Sequence, residues 1–248
     1  MRATKFEFEQ RFWFIGMIYF VGFGMAALDH TNAAIWLLHV AAPAIGANID
    51  PNSDQGNNWI RLIFGAGALV VFLAALLRTW ATAYLRTDVV HDMKQHSEGL
   101  VADGPYRYLR NPLYFANVPL AMGVGLLASR LGWVVLVAGN LLFAYRLILR
   151  EEDGLLQTQG ESYREYVKAV PRMWPSLMPR VAAGTGKPRW GQAIAGEMMF
   201  WLFGVAELCF AITLNIKVTG ILFACSFAFY FLVVPLLVKK GKGNSGKP

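Results

Sequence analysis

Long apolar runs bounded by charge leave this chain few folds to choose from. A bilayer core about 30 Å thick takes roughly 20 apolar residues as a helix, with a range near 17–25. Six stretches approach that length: 12–28, 59–77 with a helical extension toward 85, 113–128, 131–149, 193–216 and 218–238. Only Ser129 and Arg130 separate the third from the fourth, so these two form a tight helical hairpin. Residues 33–47 offer a tempting seventh run, but Pro43 interrupts it. A crossing there would also invert everything downstream, so a re-entrant or interfacial helix is expected.

Charge placement tests this count. The segment 29–58 holds no Lys or Arg, and the 129–130 and 217 turns hold only Arg130 and Lys217. The alternate segments are rich: Arg2, Lys5 and Arg11 precede the first run, Arg78, Arg86, Lys94, Arg107 and Arg110 lie between the second and third, and Arg150, Arg164, Lys168, Arg172, Arg180, Lys187 and Arg189 follow the fourth. Lys239, Lys240, Lys242 and Lys247 close the chain. By the positive-inside rule both termini are expected in the cytoplasm. The excess of 23 Lys and Arg over 16 Asp and Glu is therefore read as topology signal and not as a nucleic-acid footprint. A 16% charged fraction, against about a quarter in soluble domains, agrees. Glu7 and Glu9 interrupt the basic start and no small-x-small cleavage site follows, so an uncleaved first helix is expected. Cys209 and Cys225 both fall inside apolar runs and imply no disulfide framework. The fold expected is an all-α membrane protein of about six transmembrane helices, in a bilayer for which a bacterial inner membrane fits.

Two polar segments flank the third–fourth hairpin on one side. In the first, Asp103-Gly104-Pro105 is turn chemistry and Asn111-Pro112 starts a helix, Pro being favoured at the first helical position. The second runs from Arg146 through Arg150-Glu151-Glu152-Asp153 and an amphipathic stretch to Val170-Pro171-Arg172. The short hairpin turn keeps the two ends near each other, so acidic groups, arginines and tyrosines converge at one membrane surface. Ionisable groups at that depth are expensive unless paired or wet, which raises a functional hypothesis. Aromatic and basic residues there also serve as ordinary boundary anchors. His91 and His96 sit five residues apart without partners at ligand spacing, so no metal site is expected. Glu197 falls near the cytoplasmic edge of the fifth run. Glu207 falls near its middle, where it must pair, protonate or face a cavity.

The run from Leu100 to Tyr114 (LVADGPYRYLRNPLY), then a helical hairpin, Glu151-Glu152, Gly160-Glu161-Ser162-Tyr163, Tyr166 and Val170-Pro171-Arg172 resembles the integral-membrane methyltransferase family. That family includes isoprenylcysteine carboxyl methyltransferases and phospholipid N-methyltransferases. The resemblance covers about residues 90–180 and implies S-adenosylmethionine (SAM) as methyl donor, held in a cytoplasm-facing pocket. Carried over by position, its cofactor contacts fall on Glu98, Gly99, Leu100, Val101, Gly104, Tyr106, Arg110, Asn111, Pro112, Leu113, Tyr114 and Glu151. Two departures stand out: Glu98 where the family often has His, and Asn111 in place of the His of an Arg-His-Pro run. The implied organisation is residues 1–90 with the first two helices, 91–180 as catalytic core, and 181–248 with the last two helices and a basic tail.

Methyl transfer from a sulfonium is an in-line displacement, in which an enzyme mainly positions the partners and excludes water. An ethanolamine ammonium must first lose a proton, for which Glu152 is the expected acceptor. A carboxylate acceptor wants a cation to orient it. The carboxyl-methylating branch has an Arg four residues before the position of Glu151, where this chain has Leu147, although Arg146 and Arg150 flank it. Those two arginines would serve a carboxylate or a thiolate. The acceptor expected is a membrane lipid or other lipophilic substrate, a phospholipid amine ahead of a prenyl-cysteine carboxyl or a small thiol. A non-catalytic scaffold is the alternative of another class.

Overall fold

The computed structural model describes residues 2–45, 49–85 and 102–244. Among them the chain is helical throughout, and the only bridge of strand type joins Asn32 to Ser129. In chain order the helices are α1 (Lys5–Glu9), α2 (Arg11–Gly24), α3 (Ala33–Ala41), α4 (Asp54–Tyr84), α5 (Pro112–Val124), α6 (Arg130–Gln159), α7 (Glu161–Ala169), α8 (Trp190–Thr213) and α9 (Ile216–Asn244).

Local chemistry sets these boundaries. Ser53 and Ser129 cap α4 and α6 by accepting from the Gly56 and Gly132 amides. Thr4 and Glu7 form a reciprocal capping box on α1. Pro112 occupies the first position of α5, where its missing N–H costs nothing. Leu214 ends α8 in the left-handed region at φ 52°, and Asn215 then caps α9 by accepting from Lys217 and Val218.

Among the described residues three helices are long and apolar enough to cross a membrane: α4, α6 and α8, with 31, 30 and 24 residues. The apolar helical stretches Arg11–Ala27, Ala33–Ala44, Pro112–Leu127 and Ile216–Leu232 are shorter. Of the six runs, the second, fourth and fifth form these long apolar helices, the first and third form shorter ones, the sixth begins α9, and residues 33–47 begin with the short α3. At about 1.5 Å per residue α6 extends roughly 45 Å, well beyond a core of about 30 Å. A helix of that length cannot lie wholly within such a core, and Glu151 and Glu152 stand in its last turns.

The bundle has two distinct ends. At one, Asn32 donates to the Leu126 and Ala128 carbonyls, Asp29 pairs with Arg130 at 3.2 Å, and Arg61 donates to the Ala211 and Ile212 carbonyls at the end of α8. The other gathers the N-terminal residues, the ends of α4 and α6, the start of α5 and the segment after α7. Between them α4 packs along α5 and α8 through small residues: a methyl group on Gly67 would strike Leu126 and Glu207, and one on Gly123 would strike Val71. Such close backbone approach is how helices associate where lipid supplies no hydrophobic drive.

Candidate active site

Consecutive residues on a helix lie about 100° apart, so the ionisable run at the end of α6 sorts onto separate faces. Arg146, Arg150 and Asp153 share one face, and the N-terminal segment covers it. Arg146 pairs with Glu7 at 2.8 Å, Arg150 donates to the Ala3 carbonyl at 3.1 Å, and Arg2 reaches Asp153 at 2.6 Å. Leu147, next on the helix, is fully buried against Ala3 and Phe143.

Glu152 faces the opposite way, into the contact between the two polar segments, and is only 4% exposed. It accepts from the Asn111 side chain at 3.0 Å and from Arg172 at 2.9 Å, and it pairs with Arg110 at 3.5 Å. Asn111 also donates to the Arg172 carbonyl at 3.2 Å, so both of its amide N–H groups are spent inside the protein. Burial would lower the Arg172 guanidinium's affinity for its proton, but the bond to Glu152 more than offsets this and holds it above its ordinary value. This lock joins α5, α6 and the segment after α7.

Glu151 points between those two faces and is half-buried. The Tyr114 hydroxyl donates to it, and Arg11 lies within electrostatic reach. Tyr106 stands near, close enough for Glu151 to act on its hydroxyl, which burial pushes well above the ordinary phenol range. Tyr166, likewise pushed up by burial, stays a donor and binds the Tyr106 carbonyl at 2.7 Å. Gly104 enters this turn at φ 55°, with the Tyr84 ring where a side chain would stand.

The predicted site residues Gly104, Tyr106, Arg110, Asn111, Pro112, Leu113, Tyr114, Glu151 and Glu152 thus collect at one end of the bundle. Arg146 and Arg150 lie at the same end but on the face taken by the N-terminus. Glu98, Gly99, Leu100 and Val101, and with them His91 and His96, lie outside the described residues.

A second polar cluster adjoins the first and went unread as a unit in the sequence. Arg78 on α4 pairs with Glu197 on α8 at 2.6 Å and donates to the Asn117 side chain at 2.6 Å and the Leu113 carbonyl at 3.4 Å, both on α5. Thr82 also donates to Glu197, at 2.7 Å, and the Arg78 guanidinium lies 4.2 Å from the Phe200 ring centre. A basic residue just past one apolar run and an acidic one near the edge of another were the available signal. Glu207, by contrast, is fully buried, with no hydrogen-bond partner on either oxygen among the described residues.

Part of the chain is similar to known proteins. Residues 61–161 match the phospholipid methyltransferase family. The match takes in α4, α5 and α6 and stops at the start of α7, so the segment carrying Arg172 lies beyond it. Two curated relatives are similar over a longer stretch. The nickel-cobalt-cadmium resistance protein NccN of Alcaligenes xylosoxydans xylosoxydans is 28% identical over 151 residues, 60% of this chain and 67% of that protein. The cobalt-zinc-cadmium resistance protein CzcN of Cupriavidus metallidurans is 28% identical over 127 residues, 51% of this chain and 56% of that protein. No solved structure matches the chain at a significant level. Among the described residues no group of three or more His, Cys, Asp and Glu side chains is placed to hold a metal ion.

Proposed function

We propose that the protein is an integral membrane methyltransferase that moves a methyl group from SAM to a membrane-associated acceptor, with a phospholipid amine as the favoured class. The observation that carries this reading is the lock around Glu152. It brings the family-matched α5 and α6 together at one end of the bundle and leaves Glu151, Tyr114 and Tyr106 grouped beside it.

These residues fit the donor. SAM needs a carboxylate near its cation or ribose and an aromatic or apolar wall for its adenine. Glu151, oriented by Tyr114, offers the first, Pro105 and Tyr106 offer the second, and residues 98–101 are expected to complete the pocket. Bound SAM supplies an electrophilic methyl group, and the chain's own part is positioning and exclusion of water. Glu152, bonded to Asn111 and Arg172 and paired with Arg110, is better suited to hold this geometry than to take a proton, so we assign it to positioning. An amine acceptor's proton then leaves to solvent at the open cytoplasmic face. Arg146 and Arg150 are engaged by the N-terminal segment, and Leu147 is buried. That leaves a carboxylate or thiolate acceptor without a ready guanidinium and favours the lipid amine over a prenyl-cysteine or small thiol.

A cytoplasmic site end is supported by its Lys and Arg and would meet the need for cytosolic SAM. The test has two stages. Purified protein in detergent should gain thermal stability with added SAM; no shift would leave a non-catalytic scaffold as the reading. Labelled SAM with a native membrane extract should then carry label into phospholipid, and label in prenylated peptide or a volatile thioether would change the acceptor.

The relatives' names favour a second statement, about physiological role. Both are named for resistance to cobalt and cadmium, with nickel or zinc. For this chain that points to a membrane modification that supports metal tolerance. A strain lacking the protein should lose growth on cobalt salts, and regain it with the wild-type chain but not with Glu151→Gln.

A further inference from the structure

The segment after α7, residues 170–189, forms a strap whose path is set by backbone bonds to the first polar segment. Arg110 donates to the Pro171 carbonyl at 2.9 Å, Ser176 to Tyr108 at 2.9 Å and Arg180 to Arg107 at 2.8 Å. Farther along, the Asp103 carboxylate takes the Gly184 and Gly186 amides, and Arg189 donates to the Ala83 carbonyl. A segment pinned at so many points should bury its large apolar side chains, yet Trp174 is 81% exposed, Leu177 99% and Met178 75%. The strap also contains Arg172, Arg180, Lys187 and Arg189 and no Asp or Glu.

Behind the strap lies an open groove of about 330 Å³, walled by Leu77, Trp80, Pro105, Tyr108 and Leu109 with the strap's Ser176. Its lining is apolar, and it sits at the C-terminal end of α4, a helix long and apolar enough to cross a membrane. Arg180 stands at its lip, exposed, with its Nε donating to the Ser176 hydroxyl at 2.8 Å. An apolar trough ending in a cation matches one chemistry well: an acyl chain with a phosphate at its end.

We propose that this groove is a phospholipid-binding site, one acyl chain lying along Leu77, Trp80, Tyr108 and Leu109 and the phosphate meeting Arg180. Trp174, Leu177 and Met178 seat the strap in the same leaflet. Apolar and aromatic tips beside a basic, acid-free stretch are what an anionic membrane surface attracts. The site is separate from the Glu151 pocket but shares its turn, since Pro105 walls the groove and Tyr106 faces the pocket. Lipid binding here does not depend on methyl transfer, so the two readings fail independently.

The test is photolabelling in phosphatidylcholine nanodiscs containing a small fraction of phosphatidylglycerol with a photoactivatable group in its acyl chain. Label should concentrate on peptides covering 77–80 and 105–109. Its yield should fall several-fold in Arg180→Gln and in Leu77→Trp, which fills the trough, and stay unchanged in Arg164→Gln. Equal label over the lipid-facing surfaces of α2 and α4, or an unchanged yield in Arg180→Gln, would overturn the site. If Leu77→Trp does not fold, Arg180→Gln decides alone. A SAM-induced thermal shift measured on the same samples separates the outcomes: loss of groove labelling with the shift intact counts against this site only.

Discussion

A buried carboxylate gripped by two guanidinium groups and an amide is costly to disturb, because losing it strands cations that have already left water. Breaking a buried pair in this way costs about 3–5 kcal/mol. Glu152→Ala is therefore expected to lower the thermal midpoint of the SAM-free protein sharply, since Arg110 is only 7% exposed and would lose its partner. Glu151→Gln removes a half-buried charge held by one tyrosine. It should leave the SAM-free midpoint nearly unchanged and abolish the shift that SAM produces. If both variants behaved alike in thermal scans with and without SAM, the division of labour between the two glutamates would be wrong. Glu207 presents the reverse case, a buried carboxyl with no hydrogen-bond partner among the described residues. An unsatisfied buried polar group costs about 1–3 kcal/mol, so Glu207→Met, of similar length, should raise the midpoint. A drop of that size would mean that the carboxyl has a partner in the membrane.

At the scale of helices, Arg78 is the junction of α4, α5 and α8. Its pair with Glu197 spans 119 positions of sequence, and its bonds to Leu113 and Asn117 hold the first two turns of α5, next to the Tyr114–Glu151 contact. Glu197→Ala should destabilise the bundle by about 3–5 kcal/mol and weaken SAM binding, whereas Arg78→Met with Glu197→Met should recover most of the stability. A double-mutant cycle in which the two changes simply add would show that the pair does not couple. Here the limits of reading the chain alone are visible. Asp103-Gly104, Pro112 and the two-residue hairpin turn were legible because their information is local: a positive φ, a missing N–H, a loop too short to let helices part. The Arg78–Glu197 pair was not, because pairing between distant helices depends on rotational phase that composition does not record. The strap was not legible either, having no periodicity. The partners of Arg146 and Arg150 were within reach, since a 100° step already separates them from Glu152. What was missing was the knowledge that the N-terminal residues lie along that face.

For the molecule as a whole the question is which end faces SAM. The contacts of Asp29 with Arg130, of Asn32 with the α5–α6 turn and of Arg61 with the end of α8 gather the Lys- and Arg-poor segments at one end. The N-terminal contacts with α6, the lock and the strap gather the rich ones at the other. This partition comes from packing, and the charge asymmetry comes from sequence, so the two are independent arguments for the same alternation. Positive segments resist translocation, so the rich end is expected inside. In a background with Cys209 and Cys225 replaced by Ser, His30→Cys and Asn52→Cys should react with an impermeant maleimide on intact cells. Lys187→Cys, exposed on the strap, should react only after the cells are opened. Labelling of Lys187→Cys from outside would put the Glu151 pocket on the side without SAM. It would defeat the orientation and the methyltransferase reading together, because no rearrangement of single residues moves the lock to the other end of a bundle packed this way.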